Sequence, residues 1–228
     1  QEQPVKIVEP YQMLGYIEDD LKEAMGVDVV GIFPPKTMFG FPLGSLDTQD
    51  DFKPWKTPWG QTVLVQKDFH VTSDEQGVYI YPEGDTSAPP SAHMPTSGYF
   101  FDTIVRQQPI DEDTLDPKDN LEEFGLVTDA TIAYFVSEIT KASHTGKGII
   151  ANFGGTAFGD IALVPAPNLK YPKGIRDVTE WYISTVTRQD YIHAVFTEQS
   201  RIAIENLKKI YHAIGNAIDA VFICGTDF

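Results

Sequence analysis

The fold is decided by Gly148-Ile149-Ile150-Ala151-Asn152-Phe153, a short apolar run that opens directly into Gly154-Gly155-Thr156-Ala157-Phe158-Gly159. An apolar, β-branched run of this length that ends at glycine is typical of a buried strand followed by a turn. Two other stretches have the same character, one closed by Pro34-Pro35 and the other by Gly225. The sequence therefore predicts three buried strands, at residues 28–33, 148–153 and 219–224.

Helical periodicity fills much of the chain between these strands. The spacing of apolar side chains predicts helices over residues 10–25, 128–143, 178–186 and 190–214. Buried strands joined by helices indicate a parallel sheet of the α/β class. A closed barrel needs eight such strands and typically about 250 residues. We therefore expect an α/β fold, a partial (β/α)8 TIM barrel, in which residues 1–228 form a single incomplete barrel domain of a longer protein.

The spacing of apolar residues changes between residues 57 and 103. Thr62 to Val65, Phe69 to Thr72 and Val78 to Tyr81 are strand-like, and Gly77 stands where a tight turn would use a positive φ. The sequence therefore predicts an antiparallel β-meander insertion at residues 57–103, within the barrel domain.

Composition and charge exclude several classes of function. The chain has 33 acidic and 17 basic residues and a net charge of −16, and such a surface repels the phosphates of nucleic acids. No apolar run approaches about 18 residues, so no membrane segment is expected. The single cysteine, Cys224, favours a reducing, cytoplasmic setting. The histidines lack the spacing that zinc sites use, so no metal site is expected from this chain alone.

Six stretches, in their order along the chain, resemble the uroporphyrinogen decarboxylase-like superfamily. They are Pro10 to Pro35, Trp59-Gly60, Tyr81 to Asp85, Ala151 to Gly159, Lys173 to Asp177 and Ile223 to Phe228. The resemblance covers nearly the whole chain and implies a (β/α)8 barrel with its pocket at the C-terminal ends of the strands. It also implies the partner, which is a corrinoid protein or a tetrapyrrole small molecule, and it leaves a homodimer open.

The superfamily has two branches with different chemistry. One decarboxylates uroporphyrinogen III without a cofactor and carries an aspartate at the end of an early strand. The other moves methyl groups between corrinoid proteins and thiols such as coenzyme M, using zinc held by a His-x-Cys motif and a later cysteine. In this chain the corresponding strand ends Phe33-Pro34-Pro35, without the acid. The resemblance therefore implies the methyltransferase branch, with a porphyrinogen decarboxylase and a non-catalytic corrinoid or tetrapyrrole binder as alternatives.

The cofactors follow from the same resemblance. The zinc ligands of the methyltransferase branch would lie beyond Phe228, so we expect no cofactor bound by this chain alone, and zinc and a corrinoid in the full-length protein. If these 228 residues were the whole protein, we would expect little activity, because half of the barrel rim would be absent.

Candidate site residues follow the second and third predicted strands. Asp227 is the candidate catalytic residue, because an acid at a strand end can orient a substrate or transfer a proton. Gly225 and Thr226 are expected to form the wall beside it. After the second strand, the candidate substrate-binding residues are Asn152, Phe153, Gly154, Gly155, Thr156 and Phe158. Glycines there let backbone N–H groups approach a flat ring or an anion. The alternatives are a helix cap for the aspartate and a packing turn for the glycine-rich segment.

Overall fold

Four α-helices and several small sheets make this chain a mixed α/β protein. The structure is a computed structural model, and it describes residues 4–46, 48–155 and 160–223. The chain divides into two compact units. Unit 1 comprises Gln1–Leu21, Lys36–Gln107 and Pro165–Pro172, and unit 2 comprises Lys22–Pro35, Gln108–Val164 and Lys173–Phe228.

The helices and strands are numbered in chain order. The helices are α1 (Asp19–Ala24), α2 (Asp129–Ser143), α3 (Val178–Thr187) and α4 (Gln189–Ile214). The strands are β1 (Ile7–Glu9), β2 (Leu14–Gly15), β3 (Val29–Ile32), β4 (Phe52–Lys56), β5 (Thr62–Gln66), β6 (Val71–Ser73), β7 (Gly77–Ile80), β8 (Ala92–Pro95), β9 (Asp102–Thr103), β10 (Gly148–Ala151) and β11 (Ala220–Val221). Short 3-10 helices span Pro82–Gly84 and Pro117–Leu121.

Unit 2 is built on a three-stranded parallel sheet with β10 at its centre, flanked by β3 and β11. The three predicted parallel strands are therefore confirmed in position and direction, although the structure describes β11 as only two residues long. The ladder between β3 and β10 cannot continue past Pro34, which has no N–H to donate. No closed barrel is present among the described residues.

The two faces of this sheet have different surroundings. One face, which includes Ile32, Ile149 and Ala151, is buried in a core that α2 and α4 complete through Phe135 and Ile210. The other face carries exposed apolar side chains: Val29, Phe33, Ile150 and Phe222. An all-parallel sheet is normally covered on both faces, so this second face, the bare face, is an unusual surface.

The three longer helices begin and end close to where the sequence predicts, and capping groups mark the starts of α2 and α3 and the end of α4. The Thr128 side chain accepts the Thr131 N–H at the start of α2, and the Asp177 side chain accepts the Thr179 N–H at the start of α3. Gly215 ends α4 with a φ of 58°, a conformation that glycine adopts without strain. These predictions are confirmed to within about two residues at each end.

The predicted helix over residues 10–25 is wrong for most of its length. Residues 7–15 form the β1–β2 hairpin, and only Asp19–Ala24 is helical. Tertiary hydrogen bonds overrode the local pattern, because the Leu64 N–H donates to the Val5 carbonyl and the Gln66 side chain donates to the Ile7 carbonyl at 2.7 Å. The apolar residues that suggested the helix stay exposed: Leu14, Ile17, Leu21 and Met25.

Unit 1 is antiparallel and aromatic. Strands β4 and β5 pair with each other, and β6, β7, β8 and β9 form a four-stranded meander. The sequence pattern missed β4, because Pro54 argues against a strand, but β4 has a free edge on which a missing N–H costs little. The core combines the sheets with buried rings: Phe39, Phe41, Phe69 and Phe101.

A buried carboxylate joins the N-terminal hairpin of unit 1 to a neighbouring turn. Glu9 accepts the Tyr11 N–H at 2.9 Å and the Met38 N–H at 3.3 Å. Burial raises the pKa of the Glu9 carboxyl, against the lowering effect of these two donors. The closest lysine in sequence to this turn, Lys36, is paired with Glu83.

Glu9→Gln should change how the stability of unit 1 depends on pH. Because the folded pKa of Glu9 is raised above 4.5, its favourable contribution is complete below that value and is lost as pH rises through the folded pKa. The unfolding free energy of the wild type, relative to Glu9→Gln, should therefore fall as the pH rises above 4.5. Urea unfolding followed by tryptophan fluorescence measures it. A difference that is constant or rises with pH would contradict this assignment.

A buried arginine is the polar centre of unit 2. The Arg176 guanidinium is 1% exposed and makes a two-pronged ion pair with Glu123, at 2.7 and 3.0 Å. It also donates to the backbone carbonyls of Asp119 and Lys173, each at 2.6 Å. One side chain therefore joins the segment that contains Asp119 and Glu123 to the segment that contains Lys173 and Arg176 itself.

Arg176→Met should destabilise unit 2 by about 3–5 kcal/mol, because it leaves the Glu123 carboxylate buried without its partner. Far-UV circular dichroism at 222 nm during urea unfolding reports this unit, which contains α2, α3 and α4. The matched control is Arg201→Met, since Arg201 is 56% exposed and pairs with Glu198 on the surface of α4. That control should cost less than about 1 kcal/mol. Equal losses in the two variants would refute the central role of Arg176.

Candidate functional site

The C-terminal ends of the parallel strands bring Phe33, Asn152 and Phe222 into one row, called the strand-end row below. The Asn152 N–H donates to the Ile32 carbonyl at 2.9 Å, and the Phe222 N–H donates to the Ala151 carbonyl at 2.8 Å. In a parallel ladder, an N–H that donates to the carbonyl of one residue belongs to a residue that lies beside the next residue of that strand. Asn152 is therefore beside Phe33, and Phe222 is beside Asn152. Asn152 therefore lies between Phe33 and Phe222.

The strand-end row lies on the bare face of the sheet. Successive side chains of a strand point to opposite faces, so Asn152 shares the face of Ile150, and Phe153 shares the helix-covered face of Ala151. The exposures agree with this, since Phe33 is 39% and Phe222 48% exposed, whereas Phe153 is only 8% exposed. The row is thus accessible to a ligand at the edge where α/β proteins usually bind one.

The predicted glycine-rich turn starts at Asn152. Its Oδ1 accepts the Gly154 N–H at 3.0 Å, which fixes the side chain against the turn. Gly154 and Gly155 both have positive φ, 71° and 65°, and a Cβ on either would meet nothing within 4 Å. The backbone at these glycines is therefore open to an approaching molecule. No described residue hydrogen-bonds the Asn152 Nδ2, so this amide can donate to a ligand.

Phe153 belongs to a core cluster in this structure, and its predicted contact with substrate stays a prediction. Its ring packs edge-on against Phe135 of α2, with 4.9 Å between the ring centroids and 87° between the planes. A ring buried in this way has little surface for a ligand. Its place below the turn makes it a support for Asn152 and Gly154.

The remaining predicted site residues lie outside the described residues. They are Thr156, Phe158, Gly225, Thr226 and Asp227. The catalytic role of Asp227, the wall formed by its two neighbours and the contacts of Thr156 and Phe158 therefore stay predictions.

Tyr134, which the sequence patterns did not single out, supports the same edge of the sheet. Its hydroxyl donates to the Phe33 carbonyl at 3.3 Å, so α2 is tied to the end of β3. Burial, with a smaller contribution from the Glu138 carboxylate, raises the pKa of Tyr134 to about 12. The phenol therefore stays protonated near neutral pH and keeps its role as a donor.

Sequence reasoning did not single out Phe33 or Phe222, which the structure places in the strand-end row. The sequence contained one signal for both residues. Side chains on the same face of a strand are two residues apart, so each predicted strand shows which of its residues share a face. Asn152 and Phe153, the last two residues before the glycines, point to opposite faces of the sheet. The sequence alone does not say which of these faces the helices cover. Only the packing of α2 and α4 decides it.

The described strand ends carry no charge. Residues 33–35, 152–155 and 222–223 consist of Phe, Pro, Asn, Gly and Ile only. They offer apolar surface, one amide and open backbone, without a group that could exchange a proton near neutral pH. These residues can bind and orient a ligand, and proton transfer would require a group from elsewhere.

Metal and cavity features lie away from this row. Within the part of the chain that the structure describes, no three His, Cys, Asp or Glu side chains gather to hold a metal ion. Unit 2 also has an open cavity of about 500 Å³, lined by Glu112, Leu115, Val186, Thr187, Arg188, Gln189, Asp190 and Tyr191. Its one guanidinium, Arg188, already pairs with Glu112 and Glu180, so it is neutralised from within the chain.

Over the described ranges, no helix has both the length and the apolar character that crossing a bilayer requires. Comparisons of the chain with protein-family models, with curated proteins and with solved structures gave no match.

Tyr134→Phe should cost about 1 kcal/mol near neutral pH, because it removes the hydrogen bond to the Phe33 carbonyl. The stabilising contribution of the protonated phenol is complete below pH 10.0 and is lost as pH rises to about 12. The advantage of the wild type over Tyr134→Phe should therefore shrink across that range, as measured by urea unfolding at 222 nm.

The matched control is Tyr211→Phe, which removes a hydroxyl from an exposed side chain of α4. It should change the unfolding free energy by no more than about 0.5 kcal/mol. If Tyr134→Phe were as mild as this control at neutral pH, Tyr134 would not be supporting the end of β3.

Proposed function

We propose that this chain is a partial (β/α) barrel of the uroporphyrinogen decarboxylase-like superfamily and that it serves the methyltransferase branch. In that reaction a methyl group moves between a corrinoid and a thiol or a similar acceptor. The proposal rests on the parallel sheet of unit 2 and its strand-end row, together with the ordered sequence resemblance.

The arrangement of strands and helices carries the proposal. Strands β3, β10 and β11 follow one another across the sheet in chain order, and α2 and α4 pack on one face. A doubly wound sheet reverses its direction and places helices on both faces. In a (β/α)8 barrel the strands advance in one direction, the helices stay outside, and apolar side chains line the interior. An apolar bare face opposite the helices is what that interior would present.

The position of the strand-end row fits the same fold. Active sites of (β/α)8 barrels lie at the C-terminal ends of the strands, where the loops after each strand converge. In this chain Phe33, Asn152 and Phe222 stand at those ends, and the open backbone of Gly154 and Gly155 follows Asn152. The row therefore supports ligand binding at that edge.

The choice of branch rests on charge. A decarboxylase must hold a porphyrinogen that carries many carboxylates, which requires cations nearby. The described strand ends have none, Pro34-Pro35 replaces the expected acid, and the chain as a whole is at −16. A corrinoid, whose ring is surrounded mostly by amides, suits such a surface better.

The contribution of this chain to methyl transfer would be to bind and orient. A bound corrinoid would supply the methyl group, which would pass to the acceptor sulfur after the thiol has lost its proton, and the electron pair of the broken bond would stay with the corrinoid. Phe33 and Phe222 would hold the ring through apolar contact, and Asn152 would fix its orientation by donating a hydrogen bond. No three His, Cys, Asp or Glu side chains of the described residues gather to hold a zinc ion.

Titration of methylcobalamin with the purified chain, followed by visible absorbance, tests the proposal. We expect saturable binding at one site per chain, and a weaker complex with uroporphyrin. The same protein is then given zinc and a thiol, 2-mercaptoethanesulfonate, and loss of the methyl–cobalt absorbance is followed. Transfer to the thiol would establish the methyltransferase assignment.

Other outcomes of these assays would replace the proposal. Release of carbon dioxide from uroporphyrinogen III would assign the chain to the decarboxylase branch. Corrinoid binding without transfer, in the presence of zinc and thiol, would favour the non-catalytic binder. The absence of any corrinoid binding would overturn the proposal.

A further inference from the structure

We infer that unit 2 has a docking surface for a basic amphipathic helix of a partner protein, formed by the exposed side of α3 and by residues 111–116, called the acidic segment below. This surface shares no residue with the strand-end row, and the inference does not depend on the proposed function. The occupant is a helix with apolar side chains on one face and lysine or arginine side chains beside them.

Helix α3 is apolar on two opposite sides. Trp181 and Ser184 are buried in the interior of unit 2. Tyr182, Ile183 and Val186 lie on the other side and are 37%, 44% and 75% exposed. A helix that is apolar all round is normally buried all round, and a cluster of exposed apolar side chains is typical of an interaction surface. These three exposed residues form the apolar strip.

The apolar strip continues into the open cavity of about 500 Å³. Val186 lines this cavity together with Leu115 of the acidic segment. The volume lies within the range of about 300–1,000 Å³ that is usual for binding pockets. A helix that lies on the strip can therefore insert a side chain into the cavity. Recognition of a helix in a groove uses such anchors, at positions i, i+3 or i+4, and i+7 of the bound helix.

The border of this surface is acidic. The acidic segment contains four carboxylate side chains and no basic one. Asp111, Asp113 and Asp116 are exposed and make no ion pair with any described residue. The fourth, Glu112, pairs with Arg188. Three carboxylates beside the cavity are therefore available to the cations of a partner.

Hydrogen bonds hold the acidic segment in place. The Thr114 N–H donates to the Asp111 carbonyl at 3.1 Å, which forms a turn. The Tyr191 hydroxyl of α4 donates to the Asp116 carbonyl at 3.2 Å. The carboxylates are thus presented from an ordered backbone, so a partner pays little conformational entropy to use them.

The charge of the border selects among possible occupants. Anionic lipids and nucleic acids are repelled by exposed carboxylates. In a symmetric dimer the same surface of two copies would meet, which would bring two acidic segments close together. A basic amphipathic helix meets neither obstacle, because its apolar side chains cover the strip while its cations face the carboxylates.

The experiment uses two fluorescently labelled model peptides and the purified chain. The first peptide has leucine at i, i+3, i+4 and i+7 and lysine elsewhere, so that it forms a basic amphipathic helix. The second has the same composition in an order that lacks this spacing. In anisotropy titrations the first peptide should bind at least about tenfold more tightly than the second. Its affinity should fall as salt is raised from about 0.05 to about 0.5 M, because salt screens exposed charges.

Ile183→Ala and Val186→Ala test the apolar strip. Each should weaken binding of the first peptide about threefold or more, because less apolar surface is buried in the complex. The salt dependence should stay as in the wild type. The matched control is Ile204→Ala, which truncates an exposed isoleucine of α4, and it should change the affinity by less than about twofold.

Asp113→Lys tests the acidic segment. It should weaken binding of the first peptide about fivefold or more at low salt and make the affinity less dependent on salt. The matched control is Glu75→Lys, at an exposed residue of unit 1, which should change the affinity by less than about twofold. Both variants alter the net charge equally, so a difference between them is local. Circular dichroism at 222 nm shows whether each variant keeps the helices of unit 2.

Preference for the first peptide, with losses confined to Ile183→Ala, Val186→Ala and Asp113→Lys, would support the inference. Equal affinities for the two peptides, or equal losses in Asp113→Lys and Glu75→Lys, would overturn it. Binding to vesicles of phosphatidylserine and phosphatidylcholine that Val186→Ala weakens would assign the strip to a membrane surface instead. A dimer in sedimentation equilibrium that Ile183→Ala and Val186→Ala dissociate would assign it to a second copy, and either result would replace the inference.

Discussion

The parallel pairing of β10 with a strand on each side is the constraint on which unit 2 depends. Parallel neighbours cannot be joined by a tight turn, so the chain must cross over the sheet between them, and here it does so through helices. Because the strands advance across the sheet in chain order and α2 and α4 cover one face, the opposite face stays bare. The same pairing aligns the strand ends, and this alignment puts Phe33, Asn152 and Phe222 side by side.

Two guanidinium groups help to hold the long irregular segments, in addition to apolar contacts such as those of Val164 and Ile175. In unit 2, Arg176 joins the segment that contains Asp119 and Glu123 to the segment that contains Lys173. Arg106 has a similar role in unit 1, where it donates to the carbonyls of Ala166 and Leu169. Carbonyl groups in a loop have no ladder to satisfy them, and one arginine fork supplies several donors at fixed angles. A chain with this many loop residues can therefore be ordered without a larger apolar core.

The sequence predicted correctly those helices and strands whose local residue preferences agree with the burial and capping that they have in the structure. The strand at 148–153 and the helix ended by Gly215 were found because both signals pointed the same way. The helix over 10–25 failed because pairing of β1 with its neighbours in unit 1 outweighed helical spacing. Strand β4 was missed because a proline is acceptable on a free edge. The local pattern of residues does not contain the stabilisation that comes from pairing with segments distant in sequence.

The candidate site shows the same limit at the level of single side chains. The start of the turn after β10 was predicted correctly. However, neighbouring residues of a strand point to opposite faces of the sheet, so an error of one residue selects the wrong face. Phe153 faces α2 and supports the fold, while Asn152, one residue earlier, faces the bare side. Which of the two contacts a ligand depends on which face the helices take, and that is decided by contacts between segments more than a hundred residues apart in sequence, such as Tyr134 with Phe33.

The described strand ends differ in charge from the chain as a whole. A net charge of −16 keeps most of the exterior acidic, yet the described strand ends contain no ionisable side chain. The described part of this edge is therefore a neutral surface. Long-range repulsion from the acidic exterior adds a second selection, because it lowers the local concentration of anions before contact. Both effects disfavour anions at this edge, although they arise from different parts of the chain.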